Sequence, residues 1–292
     1  MTMAKLTLLS WNVRYFSQRN NGLRASDAGM AQVAAAIERV APDIVQLQEV
    51  EGVSWRAGLH HKTQLERVLE LVNPADEPAY RGFYFKAHSY PNIVGPPWFT
   101  TGLATLVRSP LMVEHCAEAH EITHRRFVGT RRLKQSRVCG HLRLRLAGDS
   151  TVDIYNTHLS LPAFLTAELK SIPNRMGHGT NQLEEVAALL RFVQSTRTAP
   201  AIISGDFNSV PGSPVYAAMI EAGLVDGFRS YAGLDVEELH GRPTAVFHKH
   251  IDYVFGSPEI GWLHTGDSHD WQTPGPFAGL SDHMPRVMRF EV

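Results

Sequence analysis

Residues 199–208 read Ala-Pro-Ala-Ile-Ile-Ser-Gly-Asp-Phe-Asn, so that a short apolar run passes directly into a polar end. An apolar run of this length, bounded by turn-forming residues, predicts a buried strand over Ala199 to Ser204. Side chains at the carboxyl end of such a strand point into the crevice where ligands of layered α/β folds bind. The segment therefore predicts a core strand that carries Asp206 and Asn208 into a functional site.

Five further polar segments lie along the chain, and most of them also end an apolar run. They are Ser10-Trp11-Asn12, Gln48-Glu49, Asn156-Thr157-His158, Ile251-Asp252-Tyr253 and Ser281-Asp282-His283. If all six segments converge on one site, both ends of the chain must fold together. We therefore predict a single domain over residues 1–292.

Two helices are predicted between strands of this kind. Asp27 can cap a helix whose apolar residues recur with helical spacing until Pro42 ends it, and a second helix is predicted from about Asn181 to Thr196. A strand, a helix, a strand and a terminal carboxylate thus occur once before residue 50 and again between residues 151 and 208. This repetition predicts an α/β fold in which two similar layers pack face to face.

The middle of the chain is predicted to be rich in strands. Residues 62–72 have a helical pattern, and strands are predicted at 82–88, 102–107, 111–117, 136–146 and 151–157. The segment from Ser160 to Thr180 contains two prolines and two glycines, and at about 20 residues it is too long for an ordinary connection. We expect it to be a functional loop.

The composition excludes several classes of protein. The 292 residues carry a formal net charge of −1, so no global basic field draws the protein onto DNA or an acidic membrane. The 43% hydrophobic content is sufficient for a large core, yet no run approaches the roughly 20 apolar residues of a membrane-spanning helix. The N-terminal stretch lacks a signal-peptide cleavage pattern, and Cys116 and Cys139 match no zinc-binding spacing. We expect a cytoplasmic protein with reduced thiols.

The residue types in the six segments suit a hard divalent cation and a phosphate group. Among them are the carboxylates of Glu49 and Asp206, the amides of Asn12 and Asn208, and the imidazoles of His158 and His283. Magnesium prefers octahedral oxygen coordination and is often held by one or two carboxylates together with phosphate oxygens. Zinc instead favours clustered histidine or cysteine ligands. We therefore expect Mg²⁺, which Mn²⁺ can replace.

The ordered set of segments resembles a known family. The segments are W-N at 11–12, Q-E at 48–49, N-T-H at 156–158, G-D-F-N at 205–208, I-D-Y at 251–253 and S-D-H at 281–283. In this order they resemble the motifs of the endonuclease/exonuclease/phosphatase superfamily of magnesium-dependent phosphoesterases, over residues 5–292. The resemblance implies a four-layer α/β/β/α sandwich, in which two packed mixed β-sheets are flanked by helices.

The resemblance also implies a role for each matched residue, beginning with the metal and the base. Glu49 would hold the metal ion, with Asn12 beside it and Asp282 joining them. Asp206 would orient and deprotonate the attacking water, while Asn208 would fix that water or a phosphate oxygen. Taken alone, Asp206 and Asn208 could instead form an Asx-type turn.

The histidines would act on the phosphate itself. The resemblance implies that His283, kept cationic by Asp252, donates to a non-bridging oxygen and that His158 supplies a second donor. No covalent intermediate is required. Taken alone, Asn12 is more often a strand-end turn residue, and Asp282 could simply cap a turn.

Candidate substrate-binding residues lie in the middle of the chain. Arg137 opens an apolar strand and is the last of six Lys or Arg residues in 124–137, a possible phosphate-backbone footprint. A solvated hairpin is the alternative for that segment. In the expected functional loop, Arg175, His178 and Asn181 lie around two glycines and could close over a phosphate, unless the loop is only a surface excursion.

We expect a metal-dependent hydrolase that cleaves a phosphodiester bond in a nucleic acid or nucleotide-like substrate. Short or single-stranded nucleic acid suits the modest charge, and we expect a monomer with no stable membrane insertion. The alternatives are a phosphomonoesterase, a lipid-headgroup phosphoesterase, or a binding module of the same fold that has lost catalysis. Trp98 and Phe99 could form an exposed aromatic edge or pack into the core, and Trp271 poses the same question.

Overall fold

The computed structural model of the chain describes residues 3–19, 25–55, 61–73, 79–92, 95–123, 135–146, 148, 150–162, 175–265 and 275–292. Its strands form two sheets that pack against each other and carry helices on their outer faces. The architecture is the predicted α/β/β/α sandwich with two mixed β-sheets.

The first sheet has six strands and takes strands from both ends of the chain. In spatial order they are β12 (Gly261–Thr265), β13 (Arg286–Glu291), β1 (Lys5–Asn12), β2 (Ile44–Val50), β4 (Phe99–Arg108) and β3 (Tyr80–Tyr90). β1 and β2 run parallel, whereas the other neighbours are antiparallel. The first predicted strand-helix-strand unit is therefore a parallel pair with a helical crossover.

The second sheet has seven strands and comes from the middle of the chain. In spatial order they are β10 (Val225–Asp226), β11 (Asp252–Gly256), β9 (Ala201–Asp206), β8 (Thr151–His158), β7 (Val138–Arg145) and β5 (Met112–Cys116), with β6 (His120–Glu121) also paired to β7. Only β8 and β9 are parallel among the pairs that the described residues form. This sheet thus repeats the parallel unit of the first.

The helices of the described residues lie between and after these strands. They are α1 (Asp27–Val40), α2 (Gln64–Val72), α3 (Thr180–Thr196), α4 (Pro214–Glu221), α5 (Gly227–Ala232) and α6 (Val236–His240), with a 3₁₀ turn at Arg14–Phe16. None of them has the length and apolar composition that a membrane crossing needs. Cys116 and Cys139 form no disulfide with each other; Cys116 is exposed and Cys139 is buried.

Alternating residues of the central strands face different layers, which explains the continuous apolar runs. In β1, Leu9 and Trp11 pack in the cluster formed with α1 and α2. Leu8 instead packs in the cluster between the sheets. In β9, Ile203 joins the α3 and α4 side, while Ile202 joins the core between the sheets. Both faces are apolar because both are covered.

Most predicted element boundaries lie within three residues of the observed ones, and α1 and β9 illustrate the differences. The N-cap of α1 is Ser26, whose Oγ accepts from Gly29 N at 2.9 Å, so Asp27 is the first helical residue rather than the cap. Strand β9 begins and ends two residues later than predicted. Its end continues through Gly205 and Asp206 because both pair with β11, which keeps the catalytic candidate on the strand itself.

Candidate active site

The candidate site begins with three neighbouring positions in the second sheet. Asp206 at the end of β9 is the register partner of His158 on β8 and of Asp252 on β11. Gly205 permits this close approach, since its φ is 149° and a Cβ there would lie 1.9 Å from the Thr157 carbonyl oxygen. Any other residue would push β9 away from β8 and displace the Asp206 carboxylate.

The first sheet contributes to the same cluster through Asn12. This amide is buried at the end of β1, and its Nδ2 donates to Asp206 Oδ2 at 3.0 Å. Its Oδ1 accepts from the Arg14 backbone N at 3.0 Å. The bond to Asp206 joins two different sheets, so the site lies across the boundary between them.

Glu49 reaches the cluster because β2 is irregular at its end. The pairing of β2 with β4 shifts between Leu47 and Val50, and Glu49 has a left-handed φ of 57°. Its carboxylate lies against the Asn12 side chain. A non-glycine residue in this conformation costs about 1–3 kcal/mol, and such strain concentrates at functional sites.

His283 closes the cluster from the segment that precedes β13. Its Nδ1 donates to Asp252 Oδ2 at 2.9 Å, and its Nε2 lies 3.8 Å from Asp206 Oδ2. The backbone is held as well, because Trp11 Nε1 donates to the His283 carbonyl at 2.9 Å and His283 N donates to Ser281 Oγ at 3.2 Å. The imidazole is therefore fixed between two carboxylates.

The cluster sets three unusual protonation states. Burial raises the pKa of Asp206 to about 7, the Asp252 charge adds to this effect, and His283 opposes it. Burial disfavours the His283 cation, but Asp252 and Asp206 outweigh burial and raise the pKa of His283 to about 10. Burial and the charges of Arg137 and His283 hold the pKa of His158 well below its usual range. Near neutral pH, His283 is cationic and His158 is neutral.

Asn208 links the base candidate to His158. Its backbone N donates to Asp206 Oδ1 at 2.9 Å, and its Nδ2 donates to the Leu159 carbonyl at 2.9 Å while lying 3.3 Å from His158 Nε2. The same Nε2 lies 3.4 Å from Asp206 Oδ2, so His158 and Asn208 both border the base candidate. Asn208 also has a left-handed φ of 47°, a second strained residue in the cluster.

The predicted metal ligands offer oxygen atoms in a setting that favours a cation. Burial, with a contribution from the Asp282 charge, raises the pKa of half-buried Glu49, and a cation would relieve both effects. The Asn12 Oδ1 keeps a second lone pair beyond its bond to Arg14. Asp282 Oδ2 lies 3.3 Å from Arg14 Nε, so this carboxylate already faces a positive charge. Such an oxygen donor set fits a hard divalent ion.

A second group of possible ligands lies beside the first. Within the described ranges, one ligand atom each from Asp206, Asp252 and His283 lie within 4.8 Å of one another. His283 and Asp252 are already hydrogen-bonded to each other. The structure therefore brings together all eight predicted metal-binding and catalytic residues, with the acids in two adjoining groups.

Arg137 is the predicted substrate-binding residue that acts directly on this cluster. Its positive charge opposes the rise in the pKa of Glu49 and adds to the lowering of the pKa of His158. Its Nε donates to Ser160 Oγ at 3.3 Å. The side chain is half-buried, so it adds a fixed positive charge at the site.

The other three predicted substrate-binding residues lie before and at the start of α3. Arg175 and His178 are half-buried in a turn, where His178 N donates to the Arg175 carbonyl at 3.0 Å. The turn packs against the loop that follows Asn208. Asn181 is 3% exposed, and its Nδ2 donates to the Leu161 carbonyl at 2.9 Å. Asn181 thus has a partner within the protein, and its contact with substrate stays a prediction.

Two residues at the site escaped the sequence analysis. Arg14 approaches both Asn12 and Asp282, and its position two residues after W-N was the available signal. Phe247 is 46% exposed, and its ring centroid lies 6.5 Å from that of His283 at an interplanar angle of 83°. An aromatic residue in the turn just before I-D-Y could have indicated it. Phe247 gives the site an exposed aromatic edge.

Two motif residues, Gln48 and Asn156, join the two sheets by hydrogen bonds. Gln48 Nε2 donates to Asn156 Oδ1 at 2.9 Å, and Asn156 Nδ2 donates to the Leu47 and Ala104 carbonyls at 3.2 and 3.0 Å. Each bond runs between the two sheets. The amides of Q-E and N-T-H therefore align the two halves of the site without belonging to its reactive cluster.

The predicted aromatic edge is divided between surface and core. Trp98 is 63% exposed, so core packing is wrong for this residue, whereas Phe99 is 7% exposed and buried. Trp55 is also 43% exposed. Trp271 and residues 124–134, which hold five of the six predicted basic residues, lie outside the described residues.

Comparison with known proteins agrees with this architecture. The model of the Endonuclease/Exonuclease/phosphatase family matches residues 9–283, and no curated protein sequence matches the chain. Among solved structures, an endonuclease/exonuclease/phosphatase from Beutenbergia cavernae is 19% identical with a TM-score of 0.68, covering 99% of this chain and 72% of that one. The human nocturnin catalytic domain with bound sulfate is 18% identical with a TM-score of 0.62, covering 99% and 95%.

A mannosyl-6-phosphatase from Bacteroides thetaiotaomicron is also similar. It is 16% identical with a TM-score of 0.62, and the match covers 98% of this chain and 99% of that one. At these identities the solved structures establish the class of fold, a two-sheet α/β sandwich. The family match over nearly the whole chain goes further: the chain belongs to the endonuclease/exonuclease/phosphatase family, whose members are phosphoester hydrolases.

Proposed function

We propose that the chain is a Mg²⁺-dependent phosphodiesterase, a nuclease-like enzyme that acts on a nucleic acid or nucleotide-like substrate. In this proposal water attacks the phosphorus directly and no covalent intermediate forms. The observation that carries the proposal is the Asp206 carboxylate, which lies between Asn12, His283 and Asn208 and whose pKa is raised to about 7. A general base works best when its pKa is near the operating pH.

Each contact of Asp206 supports a part of this role. The Asn12 amide occupies Oδ2 and the Asn208 N–H occupies Oδ1, so the carboxylate has a fixed orientation. Oδ2 also faces His158 and His283, whereas Oδ1 keeps a second lone pair that can accept a proton from water. We propose that Asp206 takes this proton and that Asn208 orients the water or a phosphate oxygen.

The histidines supply positive charge and a hydrogen-bond donor to the phosphate. His283 is cationic near neutral pH because Asp252 and Asp206 flank it, so we assign it to a non-bridging oxygen, where charge gathers in the transition state. His158 borders Asn208 and Asp206 through Nε2, and we propose it as the second hydrogen-bond donor to the phosphate. We propose Asp252 as the residue that orients His283.

Glu49, Asn12 and Asp282 are the residues that we propose would hold the metal ion. Their oxygen atoms and the raised pKa of Glu49 support a hard cation there. When bound, a divalent ion supplies Lewis-acid charge to a phosphoryl oxygen. Mg²⁺ is the proposed ion, and we expect Mn²⁺ to substitute for it.

The surroundings of the cluster favour a substrate with a base and more than one phosphate. Arg137 adds a second positive charge, and Phe247 offers an exposed ring next to His283. Aromatic side chains stack on bases without regard to sequence. Since the chain has a formal net charge of −1, we propose a short or single-stranded nucleic acid, with Arg175, His178 and Asn181 as further contacts.

We also propose a single domain over residues 1–292 that works as a monomer. Strands from both ends of the chain are neighbours in the first sheet, where Lys5 is the register partner of Glu291, and this supports one folding unit. A cytoplasmic location stays a prediction from the sequence.

The test is hydrolysis of bis-p-nitrophenyl phosphate with and without Mg²⁺, followed by a panel of substrates. We expect Mg²⁺-dependent turnover, and we expect short single-stranded DNA or RNA to exceed sugar phosphates, inositol phosphates and sphingomyelin in kcat/KM. Turnover of monoesters alone would refute the diesterase assignment. A protein that binds Mg²⁺ but hydrolyses no phosphoester would support the binding-module alternative.

The second candidate function is a lipid-headgroup phosphoesterase. The observation in its favour is the pair of exposed tryptophans, Trp55 and Trp98, at 43% and 63% exposure, because exposed aromatic residues also suit a lipid surface. Sphingomyelin hydrolysis in vesicles above that of any nucleic acid would favour it. A phosphomonoesterase is the remaining alternative, and the same panel ranks it.

A further inference from the structure

Gln182 is a fully buried residue on the first turn of α3, and its side chain joins three separate loops. Its Oε1 accepts from Gly177 N at 2.9 Å and from Gly179 N at 3.2 Å. Its Nε2 donates to the Ser160 carbonyl at 2.9 Å and to the Asn208 carbonyl at 2.8 Å. One amide therefore ties the exits of β8 and β9 to the turn before α3.

Helix capping explains only one of these four bonds. A glutamine at the third helical position commonly accepts from the N-cap N–H, which here is Gly179. The bonds to Gly177, Ser160 and Asn208 lie beyond the helix. A primary amide has two N–H donors and an oxygen with two lone pairs, so every hydrogen-bonding position of Gln182 is used. No other residue type of this length offers both functions.

The bond to Asn208 acts on a strained part of the cluster. Asn208 has a φ of 47°, a conformation that persists only where surrounding contacts hold it. Its N–H contacts Asp206 and its side chain lies 3.3 Å from His158 Nε2. If the Asn208 carbonyl lost its donor, both contacts could shift together.

We propose that Gln182 is a positioning residue for the hydrolytic reaction, and that it acts by holding Asn208 and the exit of β8 in register. It does not touch the reacting atoms. The inference rests on the proposed function, because it assigns Gln182 to the chemical step. A displacement of about 1 Å near the reacting groups can cost about 100-fold in rate, so we expect loss of this donor to lower kcat by about 10- to 100-fold with little change in KM.

The two halves of the amide can be separated by substitution. Gln182→Glu keeps an oxygen for the glycine N–H groups but removes the donors to Ser160 and Asn208. Gln182→Met has a similar length and removes all four bonds. Gln194→Met is the matched control, because Gln194 is an exposed residue of the same helix. Melting temperatures of all three proteins exclude loss of the fold as the cause.

Two readouts test the proposal, kcat with KM on a phosphodiester and amide hydrogen exchange in the metal-free protein. We expect Gln182→Glu to lower kcat and to speed exchange of the Asn208 N–H, while the Gly177 and Gly179 N–H groups stay protected. Gln182→Met should also expose the glycines, and Gln194→Met should change nothing. Wild-type kcat together with an unchanged Asn208 N–H in Gln182→Glu would overturn the proposal.

The exchange readout separates this inference from the proposed function. If the wild-type protein hydrolysed no phosphoester but Gln182→Glu still exposed the Asn208 N–H, the proposed function would fail and the positioning of Asn208 by Gln182 would stand. If the wild-type protein is active and Asn208 exchange does not respond to Gln182→Glu, the positioning role fails alone.

Discussion

Asp206→Asn tests the proposed base with almost no change in side-chain shape. The new amide oxygen can still accept from the Asn208 N–H, but its NH₂ group then faces the Asn12 NH₂ across the former 3.0 Å bond. A general base contributes about 10²–10⁴-fold, which is about 3–5 kcal/mol of barrier at 1.36 kcal/mol per tenfold. With saturating Mg²⁺ we expect kcat/KM on bis-p-nitrophenyl phosphate to fall by at least about 100-fold.

The same change should also alter how the stability of the protein depends on pH. The pKa of Asp206 is about 7 in the folded protein and about 3.9 in an unfolded chain. Between these values the folded state holds a proton that the unfolded state has lost, so the contribution of Asp206 to stability decreases as pH rises. An asparagine does not titrate. In EDTA, the unfolding free energy of the variant relative to wild type should therefore increase between pH 4 and pH 8.

A matched control lies at the far end of β8. Asp153 is five residues before His158, about 17 Å away along the strand, and accepts from His141 Nε2 at 2.8 Å, Arg143 Nε at 2.9 Å and Thr198 N at 2.9 Å. Burial opposes its ionisation, but these donors hold its pKa below the usual value. Asp153→Asn should cost about 3–5 kcal/mol of unfolding free energy while kcat changes little below the melting transition.

Urea denaturation and steady-state kinetics on both variants give the decisive comparison. Asp206→Asn should lose activity, and its stability relative to wild type should rise with pH. Asp153→Asn should lose stability and keep its activity. If Asp206→Asn kept full kcat/KM, Asp206 would not be the base. If the stability of Asp206→Asn relative to wild type did not change with pH, burial would not raise the pKa of the Asp206 carboxyl in the wild-type protein.

The remaining predictions concern the sheet boundary, the metal and the substrate. Asn156→Leu removes three hydrogen bonds between the sheets and leaves the Gln48 amide without one of its partners. We therefore expect the unfolding free energy in urea to fall by about 2–4 kcal/mol. An unchanged denaturation midpoint would contradict the role of Asn156 in joining the sheets. EDTA should abolish turnover, and added Mg²⁺ should restore it. Glu49→Gln should raise the Mg²⁺ concentration needed for half-maximal rate. If the variant and the wild type required the same Mg²⁺ concentration, Glu49 would not be a metal ligand. Phe247→Ala should lower kcat/KM for a dinucleotide about tenfold relative to an aliphatic phosphodiester, from a stacking contribution of about 1–3 kcal/mol; an unchanged ratio would mean that Phe247 contacts no base.

The sequence predicted those parts of the fold in which a local residue pattern is compatible with a single type of secondary structure. Strand ends that carry Asn12, Glu49 and Asp206 follow continuous apolar runs, and both helical crossovers have the expected period. Such runs are long only where a strand is covered on both faces. The strands that lie between two layers could therefore be predicted from the sequence. The order of the motifs then identified the family.

Contacts between distant segments were not predictable in the same way. The resemblance placed Gln48 and Asn156 in the motifs. Only the structure shows that they join the two sheets and do not belong to the reactive cluster. Gln182 resembled any capping glutamine, since the three bonds beyond the helix depend on loops that meet only in the folded chain. Short elements such as β10 and α5 depend on neighbours rather than on periodicity, so their sequences carry little signal.

The exposed ring of Phe247 beside the recessed acids has a consequence for selective inhibition. A compound that only chelates at Glu49 or mimics phosphate at His283 would engage residues of the six motifs alone. A compound that also packs on Phe247, which is 46% exposed and 6.5 Å from the His283 ring, would gain affinity from a residue outside those six motifs. Phe247 therefore offers an inhibitor a contact that is separate from the metal-binding and catalytic residues.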